Sequence, residues 1–450
     1  MPAPIQADSV EELIDRWRSH LRRRQPIHAV DVAELEDHLR EQIASLMDAG
    51  LAADEAFLVA AKRIGNIDAI SREFAREHSN RLWKQLVALP AQAGEPRAAR
   101  TDAIVAVCLA AAAALAFKLP AIFGIPFENA FAGFYLRNFG IFVLPLLVAY
   151  FAWKRRLDLD TARWLALACL AAIVFANAYP VTPRGSTEWL TALHLPIALW
   201  FVAGVAYAGG RWSEVAGRLD FIRFSGELFA YYDLGGALLA ALTMTNLQAI
   251  GIEDAPVITE WVLPCGALAG LVMTSWFVEA RRSVIGNIAP VMTRLFTPMF
   301  VVLLVTFLGG LLFTGRAHDI DREVLVSLNL LFVAVLCVVV FSVTTGNPDA
   351  RPGVLPAVLV VMALLATGLS LWTVGARLAN LGWSPNRAAA LGENVILLVN
   401  FLWHAVLYVR LQHGRGSFTA LERWQTAYVP VYAVWAAVVV ILFPPLFGYI

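Results

Sequence analysis

The chain of 450 residues is 59% apolar and 16% charged, with a mean hydropathy of +0.64. That balance excludes a string of ordinary soluble domains, which run roughly 45–50% apolar and about 25% charged. A formal net charge of zero gives no footing for nucleic-acid binding, so no nucleic acid is expected as a partner.

The charge is unevenly placed. Residues 1–100 hold 14 Lys/Arg and 16 Asp/Glu, whereas the remaining 350 hold only 21 and 19. The expected fold is therefore all-α. A small cytoplasmic helical domain (1–86) is followed by a linker (87–101) and a polytopic transmembrane helical domain (102–450). Cys108, Cys169, Cys265 and Cys337 each lie inside an apolar run, with no CxxC and no adjacent His. They read as buried small hydrophobes rather than as a zinc site or a disulfide framework. No apolar signal-peptide core precedes Asp102, so the first 100 residues are expected to stay in the compartment of synthesis.

Ser9-Val10-Glu11-Glu12 fits a capping box, and Leu13, Trp17 and Leu21 follow at helical spacing until Pro26. Asp31 is placed to cap a second helix whose apolar face is Leu35, Leu39, Ile43 and Leu46, with Gly50 as a left-handed stop. A third helix carries Phe57, Ala60, Ala61 and Ile64, and a fourth starts at Asn66 with Ile67, Ile70 and Phe74 on one face. Such a core is small, and docking on a membrane or a partner would stabilise it. His38 reads as a solvated side chain. The run Glu34 to Ile43, then Ala49-Gly50-Leu51, Glu55-Ala56-Phe57 and Ala60 to Gly65, resembles the "permease prefix" helical domain and the related HAAS-type domain. The resemblance implies a cytoplasmic docking or regulatory module, with a protein partner held through residues 1–86, and no chemistry of its own. Arg81 to Val87 mixes basic, aromatic and apolar residues suited to a headgroup plane, and 90–100 reads as linker.

Crossing a bilayer takes about 20 apolar residues. Eleven stretches qualify: 103–125, 138–153, 162–180, 190–209, 224–250, 257–278, 288–314, 323–345, 353–375, 391–411 and 429–449. Lys118 interrupts the first and is expected to snorkel, and 126–137 suits a re-entrant or surface helix. With the N-terminus inside, the inner connections carry 16 Lys/Arg against 7 outside, which satisfies the positive-inside rule. The expected location is the bacterial cytoplasmic membrane, with the N-terminus cytoplasmic and Ile450 periplasmic or extracellular. Continuous apolar runs exclude a β-barrel, and helices satisfy the backbone without water. Pro120, Pro196, Pro264, Pro298, Pro356 and Pro444-Pro445 are expected to bend or end helices.

Polar residues inside a bilayer are costly and point to function. In the tenth span Glu393, Leu397, Asn400 and His404 share one stripe, suited to a water path or proton relay, or else to hydrogen bonds that hold the bundle together. In the fifth, Tyr232, Gly236, Thr243 and Asn246 line a face with Gly235 beside it, and Glu227 and Asp233 lie near its cytoplasmic half. Gly266 and Gly270 form a GxxxG spacing for close packing, and Asn177, His194 and Asn329 stand alone. Gly382 fits a helix stop, with Ser384 as the next cap and Pro385 at the first helical position. The stretch Arg377 to Arg387 resembles a signature of a bacterial membrane family, domain-of-unknown-function 4153, in which an Arg precedes a Gly-containing turn and a second Arg follows. Ser384 stands for the usual Thr, and Leu381 for a common aromatic. The resemblance implies a multi-helix membrane protein with no established activity. Arg377, Arg387 and Glu393 are expected to cluster at the outer surface, where they either bind a small anionic ligand or pin the turn.

Three functions compete: a transporter or permease-like protein, a membrane sensor docking a cytoplasmic partner, and a lipid-handling enzyme. No HExxH, GxSxG, DDxxD-like cluster or GxxxxGK[ST] occurs. The expectation is therefore a non-enzymatic, transporter-like protein without a cofactor or metal.

Overall fold

A computed structural model describes residues 11, 14, 29–48, 50–53, 56–57, 59–60, 96–125, 127, 133–249, 258–280, 288–314, 322–345 and 353–450. The Ser9 cap, most of the first predicted helix, the fourth helix from Asn66 and the segment 81–87 lie outside them. The chain divides into two compact units, Met1–Pro96 and Arg97–Ile450.

In the first unit, α1 (Ala29–Asp48) starts two residues before Asp31, the expected cap. Its face of Leu39, Ile43 and Leu46 is buried against Ile14, Ala56 and Ala60. Gly50 adopts the expected left-handed conformation (φ +96°), with its N–H donating to the Met47 carbonyl at 2.9 Å. Arg40 forks onto Glu11 at 2.6 and 2.8 Å and onto Glu36 at 3.0 and 3.2 Å. These bonds, Glu11 first, hold its guanidinium more firmly protonated than usual.

The second unit is all helical among its described residues. Its helices are α2 (Pro96–Ile122), α3 (Gly133–Asn138), α4 (Leu144–Lys154), α5 (Leu159–Ala178), α6 (Ser186–Tyr207) and α7 (Val215–Ala249). A π-helical turn, Ile258–Val262, leads into α8 (Leu263–Ala280). Then come α9 (Ile288–Thr314), α10 (Arg322–Thr345), α11 (Val354–Leu381), α12 (Pro385–Gln412) and α13 (Phe418–Leu446). Nine helices among the described residues are long and apolar enough to cross a membrane. Large apolar side chains stand exposed on them, among them Leu115, Trp164, Val302, Leu330 and Val434. A coat of that kind is stable in lipid and aggregates in water. The chain is a polytopic α-helical membrane protein.

Four expectations are corrected. The stretch 138–153 is not one helix: α3 ends at Asn138 and the chain turns before α4 begins at Leu144. Gly140 packs on Pro196, and Pro145 lies at the start of α4, where a missing N–H costs nothing. With 11 residues, α4 rises only about 16 Å. Secondly, the region read as linker is helical from Pro96 onward, which again starts a helix with proline. Thirdly, Lys118 does not snorkel. It is buried, bonds the Glu260 carbonyl and lies 3.9 Å over the Trp261 ring. Fourthly, Gly235, Gly236 and Gly266 have open space beside them, so the expected close packing is not made there. Of the named prolines, Pro120, Pro196, Pro298, Pro444 and Pro445 sit inside helices.

Polar contacts sort the helix ends into two levels. At one, Lys154 pairs with Asp102 (3.0 Å), and Arg155 pairs with Glu279 (2.7 Å) and donates to the Tyr207 carbonyl (3.0 Å). This brings the start of α2 level with the ends of α4, α6 and α8. Near it Asp158 caps α5, and the Thr161 N–H keeps its carboxyl below the usual carboxylate range. At the other level, Arg137 of α3 pairs with Glu188 near the start of α6 (2.5 Å), and Asn386 of α12 donates to Ser186 (3.0 Å). The Thr182 N–H donates to the Tyr449 carbonyl at this same level (2.8 Å).

The apolar interior has two main cores. One is built from α2 to α8 around Phe117, Phe151 and Leu199, the other from α9 to α12 around Phe332, Ala363 and Phe401. A smaller cluster joins Leu190 of α6 to Ala388 and Ala389 of α12 and to Val439 and Phe443 of α13.

Candidate functional site: a polar seam between two cores

At the junction the sequence of α6 places Thr187, Thr191 and His194 at i, i+4 and i+7, all buried. The facing stretch of α12 supplies Asn386, Glu393 and Asn394. His194 and Glu393 are each the ninth residue of their helix, about 12 Å along the axis at 1.5 Å per residue. They meet at equal depth, Nε2 to Oε1, 2.9 Å apart. His194 Nδ1 lies 2.8 Å from the Leu190 carbonyl. A carbonyl only accepts, so Nδ1 carries a hydrogen and Nε2 is the atom turned to the carboxylate. Asn329 of α10 donates to the other oxygen, Oε2, at 3.4 Å, and Asn394 donates to Asn329 Oδ1 at 3.1 Å.

The seam is incompletely satisfied. The buried Thr187 Oγ1, Thr191 Oγ1, Asn394 Oδ1 and Trp435 Nε1 find no hydrogen-bond partner among the described residues. Trp435 of α13 lies directly on Gly392, where any side chain would collide with the indole. A bulkier residue next to Glu393 would therefore push the tryptophan away. Orphaned polar atoms cost roughly 1–3 kcal/mol each, so those of Thr191, Asn394 and Trp435 beside the pair, with Thr187 two turns up α6, make a seam where a polar ligand or water is favoured.

Two turns further along α12 the picture changes. Asn400 uses all four of its hydrogen-bonding positions. Its Nδ2 donates to Gln425 Oε1 at 3.2 Å and to the Tyr432 hydroxyl. Its Oδ1 accepts from Trp424 Nε1 at 3.0 Å and Gln425 Nε2 at 2.9 Å. Gln425 Nε2 also donates to His404 Nδ1 at 2.8 Å. With Nδ1 accepting, His404 is a neutral imidazole protonated on Nε2, stacked on Tyr408. This network ties α12 to α13.

The predicted site residues thus separate. Glu393, Asn400 and His404 share one face of α12, as expected, but Glu393 turns to α6 and α10 while Asn400 and His404 turn to α13. Inclined neighbours meet one face of a long helix at different depths. Arg387 does not join Glu393: its Nη1 donates to the Leu381 and Gly382 carbonyls at 2.9 and 2.8 Å. It caps α11 across the turn that Gly382 (φ +74°) and Ser384 form as expected. Arg377 is half-buried in the last turns of α11. Glu227 is buried in α7, and Asp233, about 120° round the helix from it, is exposed.

His194 and Asn329, read from sequence as isolated, are the partners of Glu393. The Thr187–Thr191–His194 stripe is the signal that marks the α6 side. Gln425 and Tyr432, seven residues apart in the last span, mark the α13 side of the second network. Among the described residues no group of three or more His, Cys, Asp or Glu converges. Comparison of the chain with protein-family models, with curated proteins and with solved structures found no match.

Proposed function

We propose that the chain is a permease-like transporter of the bacterial cytoplasmic membrane that handles a small polar solute at the α6–α12 seam. The observation that carries this reading is the set of orphaned buried polar atoms around His194 and Glu393. They lie at the junction of two apolar cores, where relative movement of the two halves would open or close the seam. In a bilayer such groups are costly unless a ligand or water meets them.

The topology proposed with it has eleven crossings. The nine long apolar helices are joined by the 35-residue α7 and by α3 and α4 taken together, which run from Arg137 at one level of polar contacts to Lys154 and Arg155 at the other. This reading puts residues 1–86 in the cytoplasm, as a docking and regulatory module like the permease prefix that it resembles. It puts Ile450 outside, in line with the Lys/Arg asymmetry. Reporter fusions after Arg100 and after Ile450 test the topology: opposite compartments are expected, and the same compartment for both sinks it. Uptake of radiolabelled amino acids, sugars and carboxylates by proteoliposomes tests the function. Saturable uptake lost in Glu393→Gln is expected. If no solute of this panel crosses while a cytoplasmic protein binds residues 1–86, the sensor reading takes its place.

A further inference from the structure

We propose that His194 and Glu393 form one proton-binding site, whose proton holds the α6–α12 seam closed. Nδ1 of His194 spends its hydrogen on the Leu190 carbonyl. Nε2 and Oε1 lie 2.9 Å apart, and neither can donate unless a further proton is bound. The pair therefore exists as imidazolium with carboxylate or as imidazole with carboxylic acid, one proton in either case. Release of that proton to water leaves a lone pair on Nε2 facing an ionised carboxylate. The bond becomes a repulsion, and among the described residues the only other donor to Glu393 is the long contact from Asn329 at 3.4 Å. The closed seam then loses its central cross-link.

Among the described residues, the charged groups with known partners near the mouth of the seam are committed elsewhere. At the mouth of the seam Glu188 is neutralised by Arg137, and Arg387 is committed to the α11 carbonyls. Arg377 lies in the last turns of α11. On α13 the nearest titratable groups are Tyr428, which donates to the Ile396 carbonyl, and Tyr432, bonded to Asn400. Beyond Asn329, α10 carries Cys337. On the helices behind α6, Lys154 is paired with Asp102 and Asp160 with Arg163, while Glu227 and Asp233 belong to α7.

The proton site follows from geometry; its use in driving a solute rests on the transporter reading. The full chain in liposomes, titrated by infrared spectroscopy with pH as the only variable, tests the site. At pH 7 wild type should show one pair-bound proton, as an imidazolium ring mode or a carboxylic C=O stretch, absent from both His194→Gln and Glu393→Gln. Neutral imidazole together with ionised Glu393 at pH 7, or a signal that survives Glu393→Gln, overturns the proposal. Glu393→Gln keeps a donor toward Nε2, so it remains informative should His194→Gln fail to fold. Proteoliposome flux separates the two ideas. A titrating pair with no flux keeps the proton site and sinks the transporter. Solute flux with the same pH dependence in wild type and Glu393→Gln keeps the transporter and overturns the role of the pair's proton in holding the seam closed.

Discussion

The two polar clusters on α12 lie within three turns of each other and are built in opposite ways. All four hydrogen-bonding positions of Asn400 are filled, and all its partners come from α13. Around Glu393 a single ionisable pair bridges α6 and α12, a third helix adds one long bond, and buried polar atoms are left over. The first arrangement minimises the energy of one structure. The second leaves energy to be recovered by a change of proton, solute or conformation. Polar residues inside a membrane thus divide into glue and machinery by how completely they are satisfied, more than by their identity.

That distinction predicts effects of different kind, and the largest on stability belongs to the glue. Asn400→Leu removes four hydrogen bonds and strands Trp424, Gln425 and Tyr432. In bilayers each such bond is worth about 0.6 kcal/mol on average and up to about 1.7, and stranded partners add to that. The expected loss is about 2–4 kcal/mol, read as a lower midpoint in equilibrium unfolding with SDS. A midpoint unchanged from wild type would mean that the network is not what joins α12 to α13.

Packing beside the seam comes next. Gly392→Val must displace the Trp435 indole, and overpacking of this kind costs about 1–3 kcal/mol. Gly235→Ala, with open space around the added methyl, should instead be neutral or gain up to about 1 kcal/mol from better helix propensity. Equal effects at the two sites would show that the contact of Trp435 with α12 is not tight.

The machinery should respond in the opposite sense. Glu393→Gln keeps a donor and the shape of the side chain, so its midpoint should stay within about 1 kcal/mol of wild type while uptake is lost. Asn400→Leu, if it inserts, should lower uptake only in proportion to the folded fraction. Uptake intact in Glu393→Gln and abolished in folded Asn400→Leu would reverse the assignment of glue and machinery.

Much of this was legible before any coordinates. The buried face of α1, the Gly382–Ser384 turn and the common stripe of Glu393, Asn400 and His404 all follow from local spacing. Spacing fixes an angle about a helix axis, and it does not say which helix lies at that angle. His194 is 199 residues from Glu393, so nothing local could pair them. The stripe on α12 also looked continuous because the neighbours of α12 change along its length. The break before α4 was hidden for another reason: Gly140 and Pro145 sit within an apolar run, and hydropathy does not register backbone geometry. The separation of Glu227 from Asp233 was available from the 100° step per residue, which puts them about 120° apart.

Arg387 offers the smallest effect and the sharpest choice between the two readings that the sequence left open. Its guanidinium meets two carbonyls that the end of α11 leaves without helical partners, and it also answers the negative end of that helix dipole. The contact is part-exposed, so Arg387→Ala should cost no more than about 1 kcal/mol, and Arg387→Lys should recover part of that through the charge alone. An anion site at the same place would behave differently. Added phosphate or sulfate would raise the melting temperature of wild type and leave Arg387→Ala unmoved. Because Nη1 is already committed to the carbonyls, the expected result is equal melting shifts in both proteins. A shift confined to wild type would mean that the guanidinium leaves the α11 carbonyls to bind the anion, and Arg387 would then belong with Glu393 rather than with Asn400.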